Sequence, residues 1–265
     1  MKKVLTIAGS DCSGGAGIQA DLKTMLANGV YGMSVITALT AQNTTGVASV
    51  KNSDPVFLRQ QIDAVFEDIR PDSVKIGMVP DEELIRVIAE RLSNYNAKNV
   101  VTDPVMVATS GAALSDNKSV SALVKELFPL SALVTPNIPE AEVLAGMKIL
   151  SSSDRHEACR KIYEKGGCSV LIKGGHGEDN ADDILYHEGE FFEYASERID
   201  NENTHGTGCT LSSAIACNLA KGMSVPESVE RAKKYVTGAI AAGLDIGRGR
   251  GPLDHGYDIK TIYKV

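Results

Sequence analysis

Residues 1–27 read MKKVLTIAGSDCSGGAGIQADLKTMLA. Val4 to Ala8 is a short apolar run that stops at Ser10-Asp11, with no cleavage pattern behind it, so it reads as a first buried strand and not as a leader. Gly9 to Gly17 is a glycine cluster, and after it Ile18, Leu22, Met25 and Leu26 recur at helical spacing. Strand, glycine turn and helix in that order form half of a parallel βαβ unit, and the same grammar repeats along the chain. Strands are expected at Val4–Ala8, Ser34–Leu39, Ser73–Ile76, Asn99–Thr102, Ala132–Thr135 and Ser169–Lys173. Leu84, Val87, Ile88 and Leu92 mark another one-faced helix. The fold class is therefore α/β, a central mostly parallel sheet flanked by helices.

Two later segments refine that reading. In Asp182 to Glu197 (DDILYHEGEFFEYASE), β-prone runs flank His187-Glu188-Gly189-Glu190, which predicts a short antiparallel edge hairpin. Gly206 to Ala220 is a small-residue helical run, and Val225 to Leu244 is helical with Pro226 at its start. Repeats, low-complexity tracts and linkers are lacking, so residues 1–265 are expected to form a single domain.

Composition narrows the function. Hydrophobic residues make up 43% and charged residues 23% of the 265, the profile of a packed globular chain. A formal charge of -7 without a Lys/Arg block argues against nucleic acid as a partner. No apolar stretch approaches the roughly 20 residues that span a membrane, and a cytoplasmic location is expected. The five cysteines (Cys12, Cys159, Cys168, Cys209, Cys217) are odd in number and lack paired metal spacing, which leaves most of them as buried thiols.

The sharpest motif is His205-Gly206-Thr207-Gly208-Cys209-Thr210, directly before the small-residue helix. Two glycines allow backbone amides close to an anion, and a helix start adds free N–H groups and the positive end of its dipole. Taken alone it is also an ordinary strand-to-helix turn. Cys209 at the helix start is expected to have a lowered thiol pKa. The first glycine cluster invites a dinucleotide reading, but the second strand runs into Thr40-Ala41-Gln42-Asn43-Thr44 and offers no acidic ribose ligand, which disfavours a nicotinamide-dependent oxidoreductase. Neither a Walker sequence nor the protein-kinase loop signatures are present.

Three polar clusters close other predicted strands, where open α/β sheets bind ligands: Thr102-Asp103-Pro104, Thr135-Pro136-Asn137-Ile138-Pro139-Glu140 and Lys173-Gly174-Gly175-His176. Asp103 could cap the following loop and Asn137 the helix near Pro139. Lys173 at the end of an apolar strand would leave an ammonium buried without a partner, which a phosphate would supply. His156, His187 and His255 are given no role.

Together, Ala8 to Asp11, Ser13 to Asp21, Thr40 to Thr44, Asp103-Pro104-Val105-Met106, Thr135-Pro136-Asn137 and His205 to Cys209 resemble, in the right order and over nearly the whole chain, the hydroxymethylpyrimidine/phosphomethylpyrimidine kinases of thiamin biosynthesis. These belong to the ribokinase-like kinases. The resemblance implies a ribokinase-like three-layer sandwich and two successive ATP- and Mg2+-dependent phosphorylations, first of the pyrimidine's hydroxymethyl group and then of the monophosphate. It places Asp21, Gln42, Met78, Gly9 and Ala16 on the pyrimidine side, with Asn137, Lys173, Thr207 and Asp103 on the nucleotide side. Glu140 and Asn137 would serve magnesium through water, and Gly206, Gly208, Cys209 and Lys173 the transfer. It also implies a homodimer.

Many ribokinase-like enzymes carry an aspartate base where Cys209 stands. A hydroxymethyl acceptor must lose a proton, whereas a phosphate monoester, with a second pKa of about 6, is already largely ionised at neutral pH. A fixed carboxylate would repel that anion; a thiol can be neutral or charged, so Cys209 is expected to make both steps tolerable in one site. The nearest rival is a pyridoxal or pyridoxine kinase, against which Gln42 offers both a donor and an acceptor to an aminopyrimidine edge. A noncatalytic ligand sensor on the same fold is the rival from another class.

Overall fold

A computed structural model of the chain describes residues 1–106, 117–175, 182–195 and 199–259. Its strands are β1 (Lys3–Asp11), β2 (Tyr31–Asn43), β3 (Gly46–Asn52), β4 (Ser73–Ile76), β5 (Val100–Thr102), β6 (Leu133–Val134), β7 (Ser169–Ile172), β8 (Asp183–His187) and β9 (Glu190–Tyr194). They form one sheet in the order β3-β2-β1-β4-β5-β6-β7-β8-β9. Its middle, from β2 to β7, is parallel, and β3, β8 and β9 are antiparallel.

The helices are α1 (Gly17–Ala27), α2 (Pro55–Asp68), α3 (Glu82–Asn94), α4 (Asn117–Ala122), α5 (Ile138–Ala145), α6 (Ser152–Gly166), α7 (Thr207–Ala220) and α8 (Val225–Ala241). Alternation along the strands splits the core into two layers. Leu5 and Ile7, Val74 and Ile76, and Val170 and Ile172 face α2, α3 and α6, while Val4, Val101 and Leu171 face α7 and α8. From Thr210 to Ala220 every residue of α7 is buried, as expected of a helix lying between the sheet and two other helices.

The sequence-based strands and the hairpin are present, with residues 196–197 of the hairpin outside the described segments. Two expectations need correction. β3 was not expected: Val47 to Asn52 alternates no apolar face toward a core, and the strand exists because it returns antiparallel along β2. In α1 the expected stripe holds for Ile18 and Met25, which are buried, and for Leu22, which packs partly buried on the core, but Leu26 is 73% exposed, and Ala20, Asp21 and Thr24 are buried in addition. Asp21 turns inward because its partners there, Thr6, Lys75 and Ser213, are polar.

His255, given no role from sequence, is buried and its Nε2 lies 3.0 Å from Thr210 Oγ1. Burial, with Lys23 nearby, pushes its pKa down to about 4. The unfolded chain then binds more protons than the folded one between about pH 6.5 and pH 4, so stability falls as pH drops through that window and levels off below it. A loss of about 2–3 kcal/mol is expected from this group. Urea unfolding of wild type and His255→Asn at pH 7.5 and pH 4.5 checks this, the variant showing a flatter dependence.

Candidate active site

The C-terminal ends of the parallel strands gather nearly every candidate residue, and the N-terminal turns of α1 and α7 pack against each other there. Gly206 caps α7 at φ +83; Gly17 opens α1 at φ +56. A Cβ at Gly206 would run into the Gly15 carbonyl oxygen, and one at Gly17 into that of Gly9, so glycine is required for the two turns to pack. Gly206→Ala is expected to cost the roughly 1–2 kcal/mol of a left-handed residue plus the clash. Gly175→Ala, at the same φ of +83 but with no atom of the described residues within 4 Å of the added Cβ, should cost the first part only. Thermal melts of both variants separate the two contributions.

Cys209 lies in the first turn of α7, partly buried, with the Gly17 amide near its thiol. The expectation of a lowered thiol pKa is overturned. Burial pushes it up, Asp21 and Asp103 add to this, and Lys75 and the Gly17 amide pull it only partly back. The resting thiol is neutral.

Lys173 also departs from expectation. Its ammonium is paired within the protein, 2.8 Å from Asp103 Oδ1, and Thr135 Oγ1 donates to the same oxygen at 3.1 Å. Asp103, 2% exposed, thus aims Lys173. A Cβ at Gly208 would lie 3.2 Å from Lys173 Nζ and 3.4 Å from Asp103 Oδ2, which brings this pair against the start of α7. Thr207 Oγ1 donates to the Thr204 carbonyl at 2.7 Å and tightens the turn.

Asn137 does cap α5: its Oδ1 accepts the Glu140 N–H at 2.9 Å while Glu140 Oε2 accepts the Asn137 N–H at 2.8 Å, a reciprocal capping box. Burial raises the Glu140 pKa and neighbouring Lys173 opposes the shift. Among the described residues no three acidic, His or Cys side chains cluster as direct ligands of an ion. The donor set fits a hydrated magnesium ion held through water by Glu140 and Asn137, since a carboxylate and an amide oxygen each keep a lone pair beyond the cap.

On the opposite side, a Cβ at Gly9 would lie 2.5 Å from Met78 Cε, so these two residues form one wall, near the start of α1 where Ala16 sits. Gln42, near the end of β2, is half-buried with its amide nitrogen 3.3 Å from His205 Nε2. Asp21 is not on that wall. Its carboxylate is fully buried, bonded to Lys75 Nζ at 2.8 and 2.9 Å, to Thr6 Oγ1 at 2.6 Å and to Ser213 Oγ at 2.7 Å. It lies beneath the site, enclosed by three protein donors.

Three residues of this region escaped the sequence reading. Lys75 is fully buried and paired with Asp21; the available signal was a lysine between Val74 and Ile76 in an apolar strand. Asp11 and His205 belong to the two glycine motifs, and Asp11 Oδ2 lies 2.9 Å from His205 Nε2. His176 falls outside the described residues.

A mostly parallel sheet, antiparallel edge strands and polar side chains gathered at two glycine-rich helix starts define an α/β kinase of the ribokinase-like class. The family model described as phosphomethylpyrimidine kinase matches residues 11–254. The chain belongs to that family. A hydroxymethylpyrimidine/phosphomethylpyrimidine kinase of Bacillus subtilis is 47% identical, over 96% of this chain and 94% of its own length. A thiamine biosynthesis bifunctional protein of Geobacter sulfurreducens is 52% identical over 95% of this chain, which spans only 52% of that longer protein. Among solved structures, an ADP complex of Bacillus subtilis pyridoxal kinase superposes with a TM-score of 0.89 at 38% identity, covering 97% of this chain and 98% of the other.

Proposed function

We propose that the chain transfers phosphate from ATP to the hydroxymethyl group of 4-amino-5-hydroxymethyl-2-methylpyrimidine, and then phosphorylates the monophosphate to the diphosphate, for thiamin biosynthesis. The observation that carries this reading is the placement of Gln42, Gly9 and Met78 at the same end of the sheet as Lys173 and the start of α7. One side of the cleft offers a donor and acceptor to an aminopyrimidine edge, and the other offers positive charge to phosphate. The full-length kinase relatives support it.

In the transfer, the first-turn amides of α7 have no partners within their own helix and face the developing phosphoryl charge. Lys173, aimed by Asp103, adds a full positive charge there. A magnesium ion, when bound, would draw charge from the phosphate oxygens, with Glu140 and Asn137 holding its waters. Cys209, neutral at rest, leaves the site without a fixed negative charge against an anionic acceptor. Cys209 takes the hydroxymethyl proton only as a thiolate, so its own thiol proton must first leave to solvent, an ionisation that the helix start, the Gly17 amide and Lys75 favour. Asp21 acts here from beneath the site, holding Lys75 and Ser213 of α7, and Ala16 through the start of α1.

A pyridoxal kinase is the second reading, favoured by the structural likeness at 38% identity. The deciding experiment offers the purified protein ATP and magnesium with hydroxymethylpyrimidine or pyridoxal in parallel, and follows products by mass spectrometry. Pyrimidine diphosphate formed through its monophosphate supports the thiamin reading; pyridoxal phosphate alone replaces it, and no turnover with either ring alcohol leaves a ligand sensor. A single domain, a homodimer and a cytoplasmic location complete the proposal, the dimer testable by light scattering. Among the described residues no helix is long and apolar enough to cross a membrane.

A further inference from the structure

Around Gln42 the count of donors and acceptors decides an orientation. The Asp11 carboxylate accepts the N–H groups of Ser13 at 2.9 Å, Gly15 at 3.2 Å and Ala16 at 2.8 Å, and the Ser13 hydroxyl at 2.7 Å. Such a group is ionised and only accepts. His205 Nε2, 2.9 Å from Asp11 Oδ2, must therefore carry a proton and point it at Asp11, whichever state the other ring nitrogen is in. The same nitrogen lies 3.3 Å from Gln42 Nε2, which sets one N–H donor against another.

A second mismatch stands at the other end of the amide. Thr40 has one hydroxyl proton and gives it to the Ser10 carbonyl at 2.8 Å, yet Gln42 Oε1 lies 3.2 Å from that hydroxyl oxygen, acceptor against acceptor. Turning the Gln42 amide end for end cures both mismatches at once: its oxygen takes a share of the His205 proton, and its nitrogen donates to Thr40.

We propose that Asp11 and His205 are positioning residues that fix the Gln42 amide with its oxygen toward His205 and its nitrogen toward Thr40, and that this order selects an aminopyrimidine ring. The inference rests on the pyrimidine reading above. Once locked, the amide shows the ligand one remaining carbonyl lone pair and one remaining N–H, in a set order. An aminopyrimidine edge has an exocyclic N–H donor beside a ring-nitrogen acceptor, and it pairs with only one such order. The ring cannot turn over to match the opposite order, because its hydroxymethyl group must face the start of α7. A pyridoxal ring has no amine beside its nitrogen, so a fixed amide discriminates against it.

The test compares His205→Leu, which removes the proton, with His205→Gln, whose side-chain NH2 can donate to both Asp11 and Gln42. In His205→Leu the KM for hydroxymethylpyrimidine should rise roughly tenfold with kcat changed less than about threefold, and the kcat/KM preference over pyridoxal should shrink by a similar factor. His205→Gln should restore KM to within about threefold of wild type. An unchanged KM and preference in His205→Leu, or equal impairment in both variants, overturns the proposal. Because the His205 ring packs on Gly15, a measurement free of variants is added. In 15N-histidine-labelled wild type the His205 Nε2 resonance should show the protonated form with a directly bonded proton; an unprotonated Nε2 overturns the proposal. That result is independent of turnover, so a wild type inactive on the pyrimidine would refute the functional reading and leave the amide orientation to be judged by the spectrum.

Discussion

Lys75→Met is expected to lower the unfolding free energy by about 3–5 kcal/mol, because it strands the Asp21 carboxylate without its countercharge in the interior. Both side chains of this pair have no exposure, and Lys75 Nζ meets both carboxylate oxygens at 2.8 and 2.9 Å. Asp21, together with nearby Asp103, raises the lysine pKa against the burial that would lower it, so the ammonium stays charged. Taking two ions out of water is costly, and their attraction repays it here with the help of the Thr6 and Ser213 hydroxyls that complete the carboxylate's bonds. The pair should therefore be expensive to break and much cheaper to replace. Lys75→Met combined with Asp21→Asn keeps the hydroxyl contacts without a charge, and should recover at least half of the loss. Urea unfolding of wild type, the single variant and the double variant at one pH measures this; a single-variant loss under about 1 kcal/mol would show that water reaches Asp21.

The second large effect falls on chemistry. Cys209→Ala should slow the first phosphorylation roughly a hundredfold, the lower range of general base catalysis, and the second by less than about tenfold. The acceptor of the second step is largely ionised before it binds, so it needs little proton removal. Cys209→Asp should reverse the pattern, with the first step largely kept and the second impaired, since a carboxylate placed near Asp103 and Asp21 adds repulsion against a phosphate monoester. Quenched time courses that resolve monophosphate from diphosphate give both rates. An unimpaired second step in Cys209→Asp would sink the explanation for the cysteine. The raised thiol pKa strengthens that explanation and weakens another: this residue is not a preformed thiolate, so its resting reactivity toward iodoacetamide should be low despite its place at a helix start.

The glycine turns, the strand ends and the cluster of Asp103, Asn137 and Lys173 were legible before any coordinates, because each depends on neighbours within a few residues and on the rule that ligands sit at the C-terminal ends of parallel strands. The same local logic misjudged three groups. It gave Cys209 the field of its own helix and left out Asp21 and Asp103, which come from α1 and the end of β5. It left Lys173 without a partner because that partner lies 70 residues earlier. It drew the buried stripe of α1 through Leu26 in place of Asp21, since an apolar pattern cannot show that a helix packs on a buried lysine.

Legible in the sequence alone, then, are the α/β class, the order of every strand but β3, the edge hairpin and the two glycine-rich helix starts, all consequences of period, turn chemistry and chain connectivity. Only the tertiary structure decided which charges meet: Lys75 with Asp21 across 54 residues, Asp11 with His205 across 194, and Gln42 with His205 across 163. The physical reason is that secondary structure is set by contacts a few residues apart, whereas ionisation and amide orientation are set by whichever groups the packed sheet brings within about 3 Å, and that distance is not encoded in any local pattern.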